Sequence, residues 1–178
     1  MPTIRDVLVL GIRALGAHAA LAAALSAVAV QPVEAQAGLR VRSHSAPIVT
    51  AIARGRGASP TFRRLVETID ASDGLVFVDE GRCAGGVRAC LLPLVTVAGP
   101  SRVLRILVNL RKAHGCEMVE MIGHELQHAI EVLTHPGIKS DVQVYNFFYM
   151  VGRTSADRFE TEAAVEAGLA ISREGCND

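Results

Sequence analysis

His124-Glu125-Leu126-Gln127-His128 lies within residues 116–133, a stretch whose apolar residues recur at helical spacing. Met118, Val119, Ile122, Leu126, Ala129, Ile130 and Leu133 form the apolar face, and the two histidines lie on its flank. Positions i and i+4 of a helix sit one above the other, so both imidazoles point the same way and can share one metal ion. Glu125 is turned beside that point rather than onto it, where a carboxylate can take a proton from a water on the metal. Thr134-His135-Pro136-Gly137 stops the helix.

Outward from this helix the pattern changes. On its N-terminal side, 75–78, 90–98 and 103–110 read as three strands, with Gly99-Pro100 turning the chain between the last two. Before them, Ser59 is an N-cap with Pro60 at the first helical position, and Phe62, Leu65, Val66 and Ile69 recur at helical spacing, which predicts a helix over 60–71. Residues 38–57 read as a mixed lead-in whose Arg54-Gly55-Arg56-Gly57 end breaks any helix. On the C-terminal side, 142–151 is compatible with helix or extended chain, and 158–173 is predicted as a helix. Strands followed by helices argue α+β: a small, mostly antiparallel sheet of about three strands, packed on the motif helix and a C-terminal helix.

The 178 residues suit one domain behind a leader, with 50% hydrophobic and 20% charged residues, a composition that folds. A formal net charge of zero argues against nucleic-acid binding. Arg5 and Arg13, an apolar run over 14–30 and Ala35-Gln36-Ala37 read as a cleaved signal peptide, residues 1–37, leaving a single domain over 38–178. An uncleaved membrane anchor is the other reading, but the run is short for a span and contains His18 and Ser26. The mature chain is therefore expected to be secreted or periplasmic, with no membrane attachment. Cys83, Cys90, Cys116 and Cys176 all follow the cleavage site, as two disulfides of an exported domain would require. Loop proximity favours Cys83–Cys90, leaving Cys116 to tether Cys176.

Two histidines leave a catalytic zinc site one protein ligand short. His135 follows His128, but Glu131 and Thr134 stand where the metzincin pattern has glycine and histidine. His44 and His114 show no ligand spacing. Glu160 and Glu162 remain, in Arg158-Phe159-Glu160-Thr161-Glu162-Ala163-Ala164; on a helix the two would point about 200° apart, so that only one faces the metal.

H-E-L-Q-H followed about thirty residues later by E-x-E-A resembles the gluzincin-type zinc metallopeptidases. In that group the third ligand is a glutamate on a separate helix, and the resemblance implies Glu160 in that role, with Glu162 as the alternate. The polar residue that several small gluzincin families carry four positions later is Ala164 here. Ser59-Pro60-Thr61-Phe62-Arg63 and Gly123 add a likeness to small exported bacterial proteins carrying H-E-L-Q-H. The resemblance implies a minimal zincin-like fold and a zinc-dependent peptide hydrolase. His124, His128 and Glu160 would hold Zn²⁺, Glu125 would be the general base, and a peptide or protein would be the substrate, paired along an exposed sheet edge. Tyr145, Tyr149, His135 and Arg153 are candidate donors to a developing oxyanion. The alternative is a non-catalytic secreted module that binds metal or protein on the same fold.

Overall fold

The computed structural model describes residues 38–155 and 158–175; the predicted leader, residues 1–37, and Cys176 lie outside the described residues. Strand β1 (Val41–Arg42) leads into α1 (Ala46–Ala58) and α2 (Pro60–Asp70), and then into β2 (Gly74–Glu80). The predicted helix break before Ala58 is not there, because α1 runs through both glycines. A β-carbon on Gly55 would lie 2.8 Å from the Phe62 ring, so this glycine gives α1 and α2 the clearance to pack closely. Ser59 ends α1 and caps α2, its hydroxyl accepting from the Phe62 N–H at 3.0 Å.

Next come β3 (Ala89–Leu91), β4 (Thr96–Ala98) and β5 (Ser101–Val108). The architecture is α+β as expected, but the sheet is mixed rather than mostly antiparallel. β1, β2 and β5 run parallel, while β3 and β4 pair antiparallel with the far side of β5. The α1–α2 crossover explains this, since it returns the chain to run beside β1 in the same direction. Residues 90–98, expected as one strand, are interrupted. Leu92 N–H still donates to Arg105 O at 2.8 Å, but Pro93 has no N–H to give, and Val95 N–H turns away to Asp141 Oδ1 at 2.9 Å. Val76, Val78, Leu104, Ile106 and Val108 alternate onto the buried face, which belongs to one core cluster with the helices.

The motif helix α3 (Gly115–Leu133) packs on that face; α4 (Asp141–Val151) follows, then a hairpin of β6 (Arg153–Ser155) and β7 (Arg158–Glu160), then α5 (Glu162–Gly175). The predicted helix over 158–173 thus begins four residues late. Thr161 is the reason: its hydroxyl accepts from the Ala164 N–H at 3.2 Å, an N-cap that fixes the helix start after Glu160. Small residues bring α5 close to α3, and a β-carbon on Gly123 would fall 2.1 Å from Ile171 Cδ1. The Cys83–Cys90 disulfide forms as expected. Cys116 Sγ lies 3.3 Å from Gly175 O; its expected partner, Cys176, is outside the described residues. No described helix is long and apolar enough to cross a membrane.

Arg102, on β5, is only 2% exposed and ties the sheet to the end of α3. Its Nε and Nη2 donate to the two Asp73 carboxylate oxygens at 2.8 and 2.7 Å. Nη2 also donates to Leu133 O at 2.7 Å, and Nη1 to the carbonyls of Val132, His135 and Ile138 at 3.2, 2.9 and 3.1 Å. These carbonyls end the helix and begin the following loop, where few helix amides remain; Val132 O and His135 O also accept from the N–H groups of His135 and Ile138 at 3.2 and 3.0 Å. Arg102→Met should cost about 3 kcal/mol, because Asp73 loses its buried partner and the carbonyls at the end of α3 lose a shared donor. Asp73→Asn should cost less, since that side chain is half exposed. Urea unfolding of the two variants checks the order.

Candidate metal centre

α3 presents His124 and His128 one turn apart, with ring centroids 5.0 Å from each other. β7 ends on Glu160, and its Oε1 lies 3.1 Å from His124 Nε2 and 3.6 Å from His128 Nε2. One ligand atom from each of the three residues falls within 4.8 Å of the others, a group that can hold a metal ion. Ligand atoms at about 2.05 Å in a tetrahedral zinc site stand roughly 3.3 Å apart, so the observed spacing fits. Glu160 Oε1 is buried, yet accepts no hydrogen bond. A buried oxygen with no hydrogen bond, facing two imidazole nitrogens at coordination spacing, is an arrangement that a cation would satisfy.

The sequence reading selected Glu160 on the expectation that it lay on a helix; it reaches the histidines from a strand end instead. Glu162, the alternate, is exposed in the first turn of α5 and is not in the group. His135 is not in it either: its Nδ1 lies 2.8 Å from Glu131 O and its ring packs on Phe147. His44 stacks on Phe77 near the surface and His114 precedes α3, both away from the cluster. Tyr145 packs edge-on against Phe159 and stacks with Tyr149. Of Arg153 only the backbone is described.

One functional residue was missed. Glu131 Oε2 lies 2.9 Å from His128 Nδ1, and its Oε1 accepts from Thr161 Oγ1 at 2.7 Å. A carboxylate on Nδ1 fixes the ring and leaves the Nε2 lone pair free for a metal. The i, i+3 spacing from His128 was the available signal. On the α5 side, His124 Nδ1 faces Gly168, where a β-carbon would sit 3.5 Å away; Ala164 and Gly168 supply room there rather than polar support.

Glu125 points towards the sheet. Its Oε2 accepts from the Leu91 N–H at 2.6 Å. Leu92 spends its own N–H on β5, so by strand alternation that of Leu91 faces the outer edge. Burial pushes the Glu125 carboxyl above its ordinary value, against the opposing pull of His128, His124 and the Leu91 amide. Burial alone would lower His128, but the carboxylates of Glu131, Glu160 and Glu125 outweigh it and raise His128 to about 9. Burial likewise raises Glu160, and the two imidazoles outweigh it to hold this acid below its ordinary value.

Comparisons with protein-family models, with curated proteins and with solved structures found no match to this chain.

The raised His128 sets a pH dependence. In the metal-free protein its proton contributes stability that is fully present below 6.5 and is lost as pH rises through about 9. A metal must displace that same proton. The group's affinity for an added divalent ion should therefore tighten about tenfold per pH unit between roughly 7 and 9 and then level off. Competition against a chromophoric chelator measures this, and an affinity flat over that interval would contradict it.

Proposed function

We propose that the protein is an exported zinc-dependent hydrolase that cuts peptide bonds, with His124, His128 and Glu160 holding the metal. The observation that carries this reading is the convergence of two Nε2 atoms on Glu160 Oε1, a buried oxygen with no hydrogen bond, with Glu125 next to His124 on the same helix. Zinc held by such a set lowers the pKa of a coordinated water to about 7 and polarises a carbonyl. Glu125 takes a proton from the attacking water as the C–O bond forms, then delivers it to the leaving amine as the C–N bond breaks. The Leu91 N–H holds Oε2, which leaves Oε1 for that transfer. Burial raises the Glu125 carboxyl, so its carboxylate is a stronger base than a solvated one. Leu91 and Val95 N–H are held by Glu125 and Asp141, but no further strand among the described residues covers exposed β4, which presents an edge to an extended peptide. The Cys83–Cys90 disulfide supports an oxidising, exported setting.

Protein purified after export should carry about one zinc per chain by elemental analysis. His128→Ala and Glu160→Ala should lose it, Glu162→Ala should keep it, and Glu131→Gln should weaken it by about 10–100-fold. Glu125→Gln should retain zinc while peptide cleavage falls by about 10²–10⁴. Absence of zinc from the wild type would sink the reading. Bound zinc without chelator-sensitive cleavage of a peptide library would leave a metal-binding module instead.

A further inference from the structure

We infer that the exposed tyrosine pair on α4, Tyr145 and Tyr149, is the specificity subsite of the proposed hydrolase and takes a large apolar or aromatic side chain of an extended peptide. The inference rests on that reading of the site. It begins from a helix the core does not explain. α4 buries only Val144 and Phe148, while Tyr145, Tyr149 and Met150 are 52%, 62% and 82% exposed. Large side chains left in water on one helix, two of them stacked on each other, call for an occupant.

Three observations identify it. First, the face is joined to the metal-binding group ring by ring. His128 meets Phe148 at 5.3 Å, Phe148 meets Phe159 at 5.9 Å, Phe159 meets Tyr145 at 5.1 Å and Tyr145 meets Tyr149 at 6.4 Å. Phe159 is also the neighbour of Glu160, so the strand that ends on the candidate metal-binding carboxylate carries the ring against which Tyr145 packs. Second, the face begins at the sheet edge. Asp141 accepts from the Val95 N–H at 2.9 Å, and Tyr145 and Tyr149 follow it at i+4 and i+8 on the same side of the helix. A peptide laid along the β3–β4 edge would meet the tyrosines where Asp141 joins the two. Third, the charge is wrong for other occupants. α4 has no lysine or arginine, and its one acid is held by Val95. Helices that lie on a membrane surface carry cations on their polar face. Stacked phenols instead offer flat faces that suit aromatic or bulky apolar groups and give an anion nothing to pair with.

The test measures binding to zinc-loaded, full-length Glu125→Gln protein, which holds a peptide without cutting it. The probes are fluorescein-labelled Gly/Ser heptapeptides whose central residue is Phe, Leu, Ala or Glu, followed by fluorescence anisotropy. The Phe and Leu peptides should bind about tenfold more tightly than the Ala peptide, with Glu weakest. Adding Tyr145→Ser and Tyr149→Ser should shrink the Phe/Ala ratio to below about twofold while zinc content stays near one per chain. Tyr145→Phe with Tyr149→Phe should keep the ratio. If the double serine variant loses zinc, Tyr149→Ser alone decides the matter, with an expected drop in the ratio of about threefold. An equal affinity for all four peptides overturns the subsite, as does a preference that survives the serine substitutions. So does a dimer, seen by light scattering, that these substitutions dissolve without changing the preference. Failure of the hydrolase reading is separate: wild-type protein with zinc bound would leave the Phe peptide intact although the preference in binding stands.

Discussion

The guanidinium of Arg102 is the joint on which the molecule is assembled. It lies on β5, is almost wholly buried, and spends its donors on Asp73 and on the carbonyls around the end of α3. A buried cation is tolerable only when it is paired and fully hydrogen-bonded, and a helix end is tolerable in a core only when its carbonyls are met. Each requirement here is answered by the other. The consequence reaches the candidate metal centre, because α3 carries both histidines and β5 carries the neighbouring edge strand. With the end of α3 fixed to β5, and β3 paired to the far side of β5, the distance from Glu125 to the Leu91 amide is set by the same sheet.

A second polar chain fixes the other side of the centre. Thr161 donates to Glu131, Glu131 faces His128 Nδ1, and the same Thr161 hydroxyl accepts from Ala164 N–H to begin α5. The residue before Thr161 is Glu160. The helix cap therefore does three things in one place: it stops β7, orients the ring of His128, and holds Glu160 where its oxygen meets the imidazoles. The positions follow from one hydroxyl with a donor and an acceptor both in use.

What could be read from the sequence was what is local. The i, i+4 histidines and the glutamate between them follow from helix geometry alone, and the short Cys83–Cys90 loop could close without help from the rest of the chain. What was hidden depends on contacts across the fold. Gly55 and Gly57 look like helix breakers, but Gly55 is clearance for the Phe62 ring, and nothing in the local sequence distinguishes the two roles. The parallel pairing of β2 with β5 depends on where the β3–β4 segment lies in space. Glu160 was reached by an expectation of helix that proved wrong, since the acidic, alanine-rich run after Thr161 reads continuously with the residues before it. Glu131 passed unnoticed because an acidic residue on a helix ordinarily faces water, and only the fold turns this one onto a histidine.

The charges of the centre argue for a cation more strongly than the distances do. Glu125, Glu131 and Glu160 surround two imidazoles, and the metal-free balance is struck by holding a proton on His128. That proton satisfies only part of the geometry, because Glu160 Oε1 still has no donor although both Nε2 atoms are near. A proton on nitrogen points along one line. A divalent ion at the common point would be met by all three lone pairs together, and its charge would offset carboxylates that burial otherwise penalises. The arrangement suits a site whose charge would arrive with a bound ion, for which the imidazoles would have to be neutral.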